Sequence, residues 1–210
     1  MSITCVSVKN VRIDSPFWAQ RQNIARTQGI PYQLEALNDR LPNTEPSHCM
    51  ENFRIAAGLS KGAFHGFPFQ DSDLAKWLEA VAFSLMTKPD AALEEEADKA
   101  IELICAAQRP DGYLSTYYII NGLEKRWTNL TDNHELYIAG HMMEAAVAYY
   151  TATGKTRFLD VMRRYIDYIA TVFGPGEGQI HGYPGHEEIE LALCKLYDVT
   201  GEKKYNGLWI

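Results

Sequence analysis

The chain has 210 residues, of which 46% are hydrophobic and 22% are charged, and its formal net charge is −7. This composition is typical of a globular protein and excludes an intrinsically disordered chain. The sequence contains no basic stripe and no run that approaches about 18 apolar residues, so neither a nucleic-acid partner nor a membrane span is expected.

The cysteines and the N-terminus together predict a cytoplasmic protein. Cys5, Cys49, Cys105 and Cys194 are far apart and form no Cys-x-x-Cys pair. This spacing favours reduced thiols over a disulfide framework or a structural zinc site. The first residues lack a positively charged segment followed by an apolar core, so no signal peptide is predicted.

Helical periodicity dominates the chain after a short N-terminal segment. "ITCVSVKNVRI" at 3–13 predicts one short strand, because β-branched residues are frequent in it. The apolar spacing of amphipathic helices then recurs near 18–38 (with a kink at Pro31), 49–59, 73–87, 91–108, 133–151, 156–172 and 186–199, and another helix begins near 202. The predicted class is therefore all-α with a possible short N-terminal strand.

An internal repeat predicts how these helices are arranged. "AVAYYTATGKTRFLDV" and "ALCKLYDVTGEKKYNGLW" each contain a helix end, a Thr-Gly turn and the start of a new helix, with the turns 47 residues apart. Helix, tight turn, helix and long glycine-rich loop at a period near fifty indicate helical hairpins, either in a solenoid or in an α/α toroid. Six such pairs would need about 300 residues, so the sequence is expected to be part of a longer protein or half of an assembly.

Two histidines occupy equivalent places in this repeat and are the first candidate site residues. His134 and His186 each precede a Glu at the start of a helix, 52 residues apart. The positive end of a helix favours a neutral imidazole, which can donate to or accept from a sugar hydroxyl. We expect both imidazoles to face one pocket, whereas the alternative is a histidine that caps its own helix or packs in the core.

A third candidate segment is "AFHGFPFQDSDLAKWLEA" at 63–80, where aromatic residues alternate with His65, Gln70 and Asp71. Carbohydrate sites combine apolar rings with amides and carboxylates in this way. The alternative interpretation is an aromatic plug, with Asp71 or Ser72 as the N-cap of the next helix.

No metal site is predicted in this chain. In "HELYIAGH" at 134–141 the two histidines are seven residues apart, too far along a helix to bind one metal ion in the manner of zinc proteases. His181, His186, Glu187 and Glu188 could ligate a metal, but their spacing is not diagnostic.

Six separated motifs resemble, in sequence and in order, the N-terminal part of glycoside hydrolase family 127, the bacterial β-L-arabinofuranosidases. They are "SPFWAQRQ", "IPYQLEALND", "FHGFPFQDSDLAKWLEA", "QRPDGYLSTYY", "HELYIAGHMMEAAVAYYTATG" and "HGYPGHEEIELALCKLYDVTGEKKY". The resemblance implies that residues 1–210 form the N-terminal portion, as a single domain, of an (α/α)6 toroid that is incomplete in this chain. It also implies retaining hydrolysis of terminal β-L-arabinofuranosides, so the expected partner is a glycan with terminal L-arabinofuranosyl units.

The resemblance also implies roles for individual residues. His134 and His186 match two family histidines that contact the sugar, and His65, Gln70 and Asp71 match a segment that lines the same cavity. In the family the nucleophile is a cysteine thiolate on a zinc ion, and a glutamate is the general acid/base; none of the four cysteines here matches. No catalytic residue and no metal ligand is therefore expected in this chain, although zinc is expected in the full-length family, and this chain alone is expected to be inactive.

Two other functions remain open at the level of the sequence. The chain could be a non-catalytic fragment of a toroid that binds carbohydrate or forms a homodimer through an exposed edge. It could also belong to the toroidal epimerases or lyases that use paired histidines as acid and base, which the resemblance disfavours.

Overall fold

The architecture is given by a computed structural model of the chain, which describes residues 6–207. The α-helices are, in chain order, α1 (Pro16–Ile24), α2 (Ile30–Leu37), α3 (Cys49–Ala56), α4 (Asp71–Thr87), α5 (Ala91–Ala107), α6 (Thr116–Asn121), α7 (Glu135–Thr153), α8 (Arg157–Val172) and α9 (Glu188–Thr200). Short 3₁₀ helices lie at Val8–Asn10, Leu123–Lys125 and Lys203–Gly207. The prediction of an all-α fold is confirmed.

The predicted N-terminal strand is wrong for the part of 3–13 that the structure describes, and residues 3–5 lie outside it. Val8–Asn10 forms a 3₁₀ turn, in which the Asn10 amide donates to the Ser7 carbonyl at 2.8 Å. A β-branched segment needs a neighbouring strand to pair with. Residues 6–207 contain no strand, and their only β-type pairing is an isolated bridge between Phe173 and Ile180.

The break in the helix that was predicted at Pro31 occurs a few residues before this proline. A π-helical segment, Ala25–Gly29, joins α1 to α2, and Pro31 stands in the first turn of α2. Proline lacks an amide hydrogen and is tolerated in the first turn of a helix, so the change of hydrogen-bond register occurs upstream of it. The helix predicted near 202 is the 3₁₀ turn Lys203–Gly207, and residues 208–210 lie outside the described part of the chain.

α7 is the helix with the most extensive packing. It contacts α4, α9 and α8, and α8 also contacts α5. Thirteen residues of α7 are buried, as expected for a helix with neighbours all around it. By contrast, α8 buries a stripe at helical spacing (Phe158, Leu159, Val161, Met162, Tyr165, Ile166, Ile169).

The turns that end α7 and α9 follow the sequence repeat. Gly154 and Gly201 are the C-caps of these helices, in the left-handed conformation, with φ of 78° and 69°. This conformation favours glycine and satisfies carbonyl groups at the helix end. The predicted helical hairpins are confirmed, and no helix within residues 6–207 is long and apolar enough to cross a membrane.

Candidate functional site

The two histidines singled out from the repeat lie side by side. The ring centroids of His134 and His186, hereafter the imidazole pair, are 4.9 Å apart. His134 is the residue before α7, and His186 lies in the loop two residues before α9. Because α7 and α9 are adjacent, two equivalent positions in the repeat meet at one end of the helical layer.

His134 has an unusual backbone and an unusual side-chain environment. Its φ and ψ are 57° and 34°, in the left-handed region that costs a non-glycine residue about 1–2 kcal/mol. Its Nδ1 is buried and has no hydrogen-bond partner among residues 6–207. Burial first, and then the neighbouring His186, lower the pKa of His134, so its imidazole is neutral at neutral pH. A strained residue with an unused polar atom is typical of a ligand-binding position.

An aromatic surface adjoins the imidazole pair. Phe67 and Phe69 are stacked at 5.2 Å, and Phe69 lies edge-on to His134 at 5.2 Å. Tyr137, one turn into α7, lies 5.1 Å from His186 and receives a 2.9 Å hydrogen bond from Lys76 of α4. Phe67 is 65% exposed, so this surface opens to solvent. The sequence placed Phe69 among the aromatic residues of the candidate segment 63–80, but it gave Tyr137 no role, although Tyr137 follows His134 at the i+3 spacing of one helix face.

His65 and Gln70 lie in the loop that carries this aromatic surface. The His65 ring is exposed and packs against His48 at 4.9 Å, and not against the imidazole pair. The Gln70 amide nitrogen donates to Asp73 at 2.7 Å, and its oxygen accepts from the Phe67 amide at 3.3 Å. Gln70 therefore shapes the turn that presents Phe67.

Asp71 is buried beneath the site. One of its oxygens accepts from the Thr116 hydroxyl at 2.5 Å and the other from the Thr116 amide at 2.7 Å. Burial raises the pKa of this carboxyl to about 6. Asp71 thus joins the start of α4 to the start of α6, a six-residue helix that sequence analysis treated as loop.

Glu135, directly after His134, fixes the start of α7. Its side chain is fully buried and accepts from the Tyr113 hydroxyl at 2.5 Å and from the Trp127 amide at 2.7 Å. Burial raises the pKa of Glu135 to about 7. The loop between α5 and α6, which contributes Tyr113, therefore holds the segment that carries His134.

A close contact between helices sets the position of His186. A Cβ atom on Gly140 of α7 would lie 2.6 Å from Glu188 Cγ and 3.0 Å from the Ile189 amide nitrogen. On the other side of His186, the Gly185 amide donates to the Leu130 carbonyl at 3.2 Å. The chain is thus held on both sides of His186.

Deeper between α7 and α9 lies a polar group that the sequence did not reveal. His141 Nδ1 is 3.2 Å from Glu188 Oε1 and 3.7 Å from Glu144 Oε2, and Lys195 donates to Glu144. The potential ligand atoms of His141, Glu144 and Glu188 lie within 4.8 Å of one another, and this is the only such group among residues 6–207. It contains no cysteine.

Among residues 6–207, no cysteine belongs to a group of three or more potential metal ligands. Cys49 is buried, its sulfur donates to the Gln70 carbonyl at 3.4 Å, and burial raises its pKa well above the usual range. Burial raises the pKa of Cys105 to about 11, and Cys194 is exposed.

Comparison with known proteins identifies the family. The family of β-L-arabinofuranosidase GH127 catalytic domains matches this chain over residues 10–208. The chain belongs to glycoside hydrolase family 127. It is 44% identical over 212 residues to the non-reducing end β-L-arabinofuranosidase of Bifidobacterium longum subsp. longum, an alignment that covers 93% of this chain and 32% of that protein.

Two solved structures of GH127 proteins have the same fold. A β-L-arabinofuranosidase from Geobacillus stearothermophilus T6 superposes with a TM-score of 0.92 at 64% identity, covering 93% of this chain and 31% of that one. The GH127 β-arabinofuranosidase BT3674 superposes with a TM-score of 0.86 at 37% identity, covering 94% and 32%. The fold is thus that of the N-terminal part of GH127 proteins, and the chain spans about a third of the length of these relatives.

Proposed function

We propose that this chain forms the N-terminal part of the catalytic toroid of a retaining β-L-arabinofuranosidase, as one domain over residues 1–210, and contributes one wall of the sugar subsite. The observation that carries the proposal is the imidazole pair, 4.9 Å apart beside an exposed aromatic surface, in a chain that belongs to GH127. The proposed substrate is a glycan with a terminal L-arabinofuranosyl unit, since the characterised relatives are named for that activity.

The chemistry of the site supports binding and orientation. Neutral imidazoles can both donate to and accept from hydroxyl groups, and the unused Nδ1 of His134 is one such atom. Aromatic faces such as Phe67 and Tyr137 suit the C–H surface of a sugar ring. The predicted sugar contacts of His65, Gln70 and Asp71 stay proposals. The hydrogen bonds of Gln70 to the Phe67 turn and of Asp71 to Thr116 of α6 support an indirect role for these two residues.

We place the nucleophile, the acid/base and the zinc of such an enzyme in the part that this chain does not span. Retaining hydrolysis requires a nucleophile and an acid/base on opposite sides of the anomeric bond, and oriented binding accelerates the reaction only where that pair is present. The free thiols of Cys49, Cys105 and Cys194 support the predicted cytoplasmic location.

The homodimer stays a prediction, which the solution mass measured by light scattering would test.

The purified chain is expected not to hydrolyse 4-nitrophenyl β-L-arabinofuranoside, because binding residues alone supply no nucleophile. The assay measures 4-nitrophenolate release, with the Geobacillus stearothermophilus enzyme as the positive control. Hydrolysis that co-purifies with the chain and scales with its concentration would contradict this division of the site.

The binding roles of the imidazole pair can be tested in a chimera, in which residues 10–208 replace the matching part of the Geobacillus stearothermophilus enzyme. His134→Ala and His186→Ala are each expected to lower kcat/KM by about tenfold to a hundredfold, the factor for loss of about 1.4–2.7 kcal/mol of polar contact with the sugar. His181→Ala, an exposed histidine in the same loop as His186, is the matched control. Equal kcat/KM for all three variants would show that the imidazole pair does not contact the sugar.

A further inference from the structure

Two carboxyl groups lie close together between α7 and α9, with potential ligand atoms of Glu144 and Glu188 within 4.8 Å of each other. Glu144 of α7 and Glu188 of α9, hereafter the carboxyl pair, have side chains only 7% and 15% exposed. Two carboxylates at such a distance repel each other in a poorly solvated place, so one of them is expected to keep its proton and to donate it to the other.

The surroundings indicate which carboxyl holds the proton. Lys195 donates to Glu144, and its charge together with a hydrogen bond from Glu188 outweighs burial and keeps the pKa of Glu144 below its usual value. Burial first, and then the hydrogen bond and charge of Glu144, raise the pKa of Glu188 to about 8. Because Lys195 contacts Glu144 and stabilises its charge, the proton that the two carboxyl groups share is expected on Glu188.

The carboxyl pair is connected to the imidazole pair through the chain. Glu188 is the first residue of α9 and follows His186 by two residues, a reach of at most about 7 Å. Its backbone lies on Gly140, where only glycine allows so close an approach. A hydrogen bond that holds Glu188 against α7 therefore limits how far His186 can move from His134.

We propose that a hydrogen bond from protonated Glu188 to Glu144 makes these two residues, with Lys195, positioning residues that hold His186 against His134. The inference rests on the proposed function, because it assigns them to the proposed sugar subsite. It names a role for groups that contact neither the proposed ligand position nor the aromatic surface.

A divalent cation is the competing explanation for the same three side chains. His141, Glu144 and Glu188 have the right atoms at the right separation. However, the Lys195 ammonium group donates to Glu144 and thus already neutralises the carboxylate that a cation would need. Its repulsion of a cation favours a proton between the carboxyl groups over a metal ion.

The pH dependence follows from the charges that face Glu188. These are Glu144 and His141 of α7, Lys195 of α9 and Glu79 of α4, whose own pKa is raised by burial and by Glu144. When pH rises through about 8, Glu188 loses its proton and a second negative charge faces Glu144 with only Lys195 to balance it. Because a raised carboxyl pKa stabilises the folded state at low pH, this contact weakens as pH rises.

The test measures the distance between His134 and His186 in the full chain by nuclear Overhauser effects between their imidazole protons, as pH is raised from neutral through about 8. In the unmodified chain the cross-peak is expected to be lost as pH rises. In Glu188→Gln, whose amide donates a hydrogen bond but does not titrate, the cross-peak should persist across the range. Glu190→Gln, an exposed glutamate in the same helical turn, should behave as the unmodified chain.

A second variant and a metal control make the outcome decisive. Glu188→Ala should lose the cross-peak already at neutral pH while its circular dichroism stays helical; if this variant does not fold, the comparison between Glu188→Gln and Glu190→Gln decides. A cross-peak that survives in folded Glu188→Ala, or that fades with pH equally in Glu188→Gln, overturns the proposal. A cross-peak that EDTA removes and Zn²⁺ restores overturns it in favour of a cation.

The measurement involves no sugar, so it separates this inference from the proposed function. A pH-dependent cross-peak together with unchanged kcat/KM in the histidine variants of the chimera would refute the sugar subsite and leave the positioning role. The reverse combination would refute the positioning role alone.

Discussion

Gly140→Ala is expected to destabilise the protein by about 1–3 kcal/mol and to displace α9 from α7. The added methyl group would lie 3.0 Å from the Glu188 carbonyl carbon and the Ile189 amide nitrogen, which are backbone atoms and cannot rotate away. The steric cost outweighs the gain in helix propensity that alanine normally brings. Urea unfolding followed by circular dichroism measures the difference as a lower midpoint at unchanged m.

Gly29→Ala is the matched control for that substitution. Gly29 also lies in helical backbone, with φ of −64°, and a Cβ atom there would have no neighbour within 4 Å. The control is expected to be stabilised by about 0.4–1 kcal/mol, because alanine lowers the conformational entropy of the unfolded chain. If both variants shifted in the same direction, the close approach of α9 to α7 at Gly140 would be refuted.

Glu135→Ala is expected to have the largest effect on stability, a loss of about 2–4 kcal/mol. The change leaves the Tyr113 hydroxyl and the Trp127 amide without an acceptor inside the protein, and each buried unsatisfied donor costs about 1–3 kcal/mol. The measurement is again the free energy of unfolding in urea at neutral pH. Glu177→Ala, at an exposed glutamate, should change stability by no more than about 0.5 kcal/mol, and a similar loss in both variants would contradict the argument.

The pH dependence of stability provides a second measurement on Glu135. Its pKa is raised from 4.5 in the unfolded chain to about 7, so between these values the folded protein binds a proton that the unfolded chain releases. The part of the stability that comes from this bound proton is therefore complete below about pH 4.5 and is lost as pH rises to about 7, whereas the hydrogen bonds from Tyr113 and Trp127 remain. In Glu135→Gln this part of the slope should vanish, which unfolding curves across the interval would show; an unchanged slope would exclude titration of Glu135 there.

Most of the helical framework could be predicted because each long helix carries its own apolar periodicity. α4, α5, α7 and α8 begin and end within two residues of their predicted bounds. The errors occurred where local preference was insufficient. The segment at 3–13 has strand-like residues but no partner strand, and α6 is too short, at six residues, to show periodicity.

In the candidate site, likewise, some features could be predicted from the sequence and others depend on tertiary contacts. The repeat alone indicated that His134 and His186 occupy equivalent places, and in the structure they are adjacent. The approach of Glu188 to Glu144 could not be predicted, because it depends on two helices meeting at Gly140 and not on any spacing within one helix. The burial of Asp71 under α6 likewise arises from a tertiary contact with Thr116.

The unequal burial of α1 and α7 has a consequence for amide hydrogen exchange. α7 contributes thirteen buried residues between two neighbouring helices, whereas α1 contributes none. Amides in the middle of α7 are therefore expected to exchange with solvent mainly through global unfolding, and those of α1 through local opening that leaves the rest intact. His134 directly precedes α7 and is thereby attached to a helix that is expected to open late.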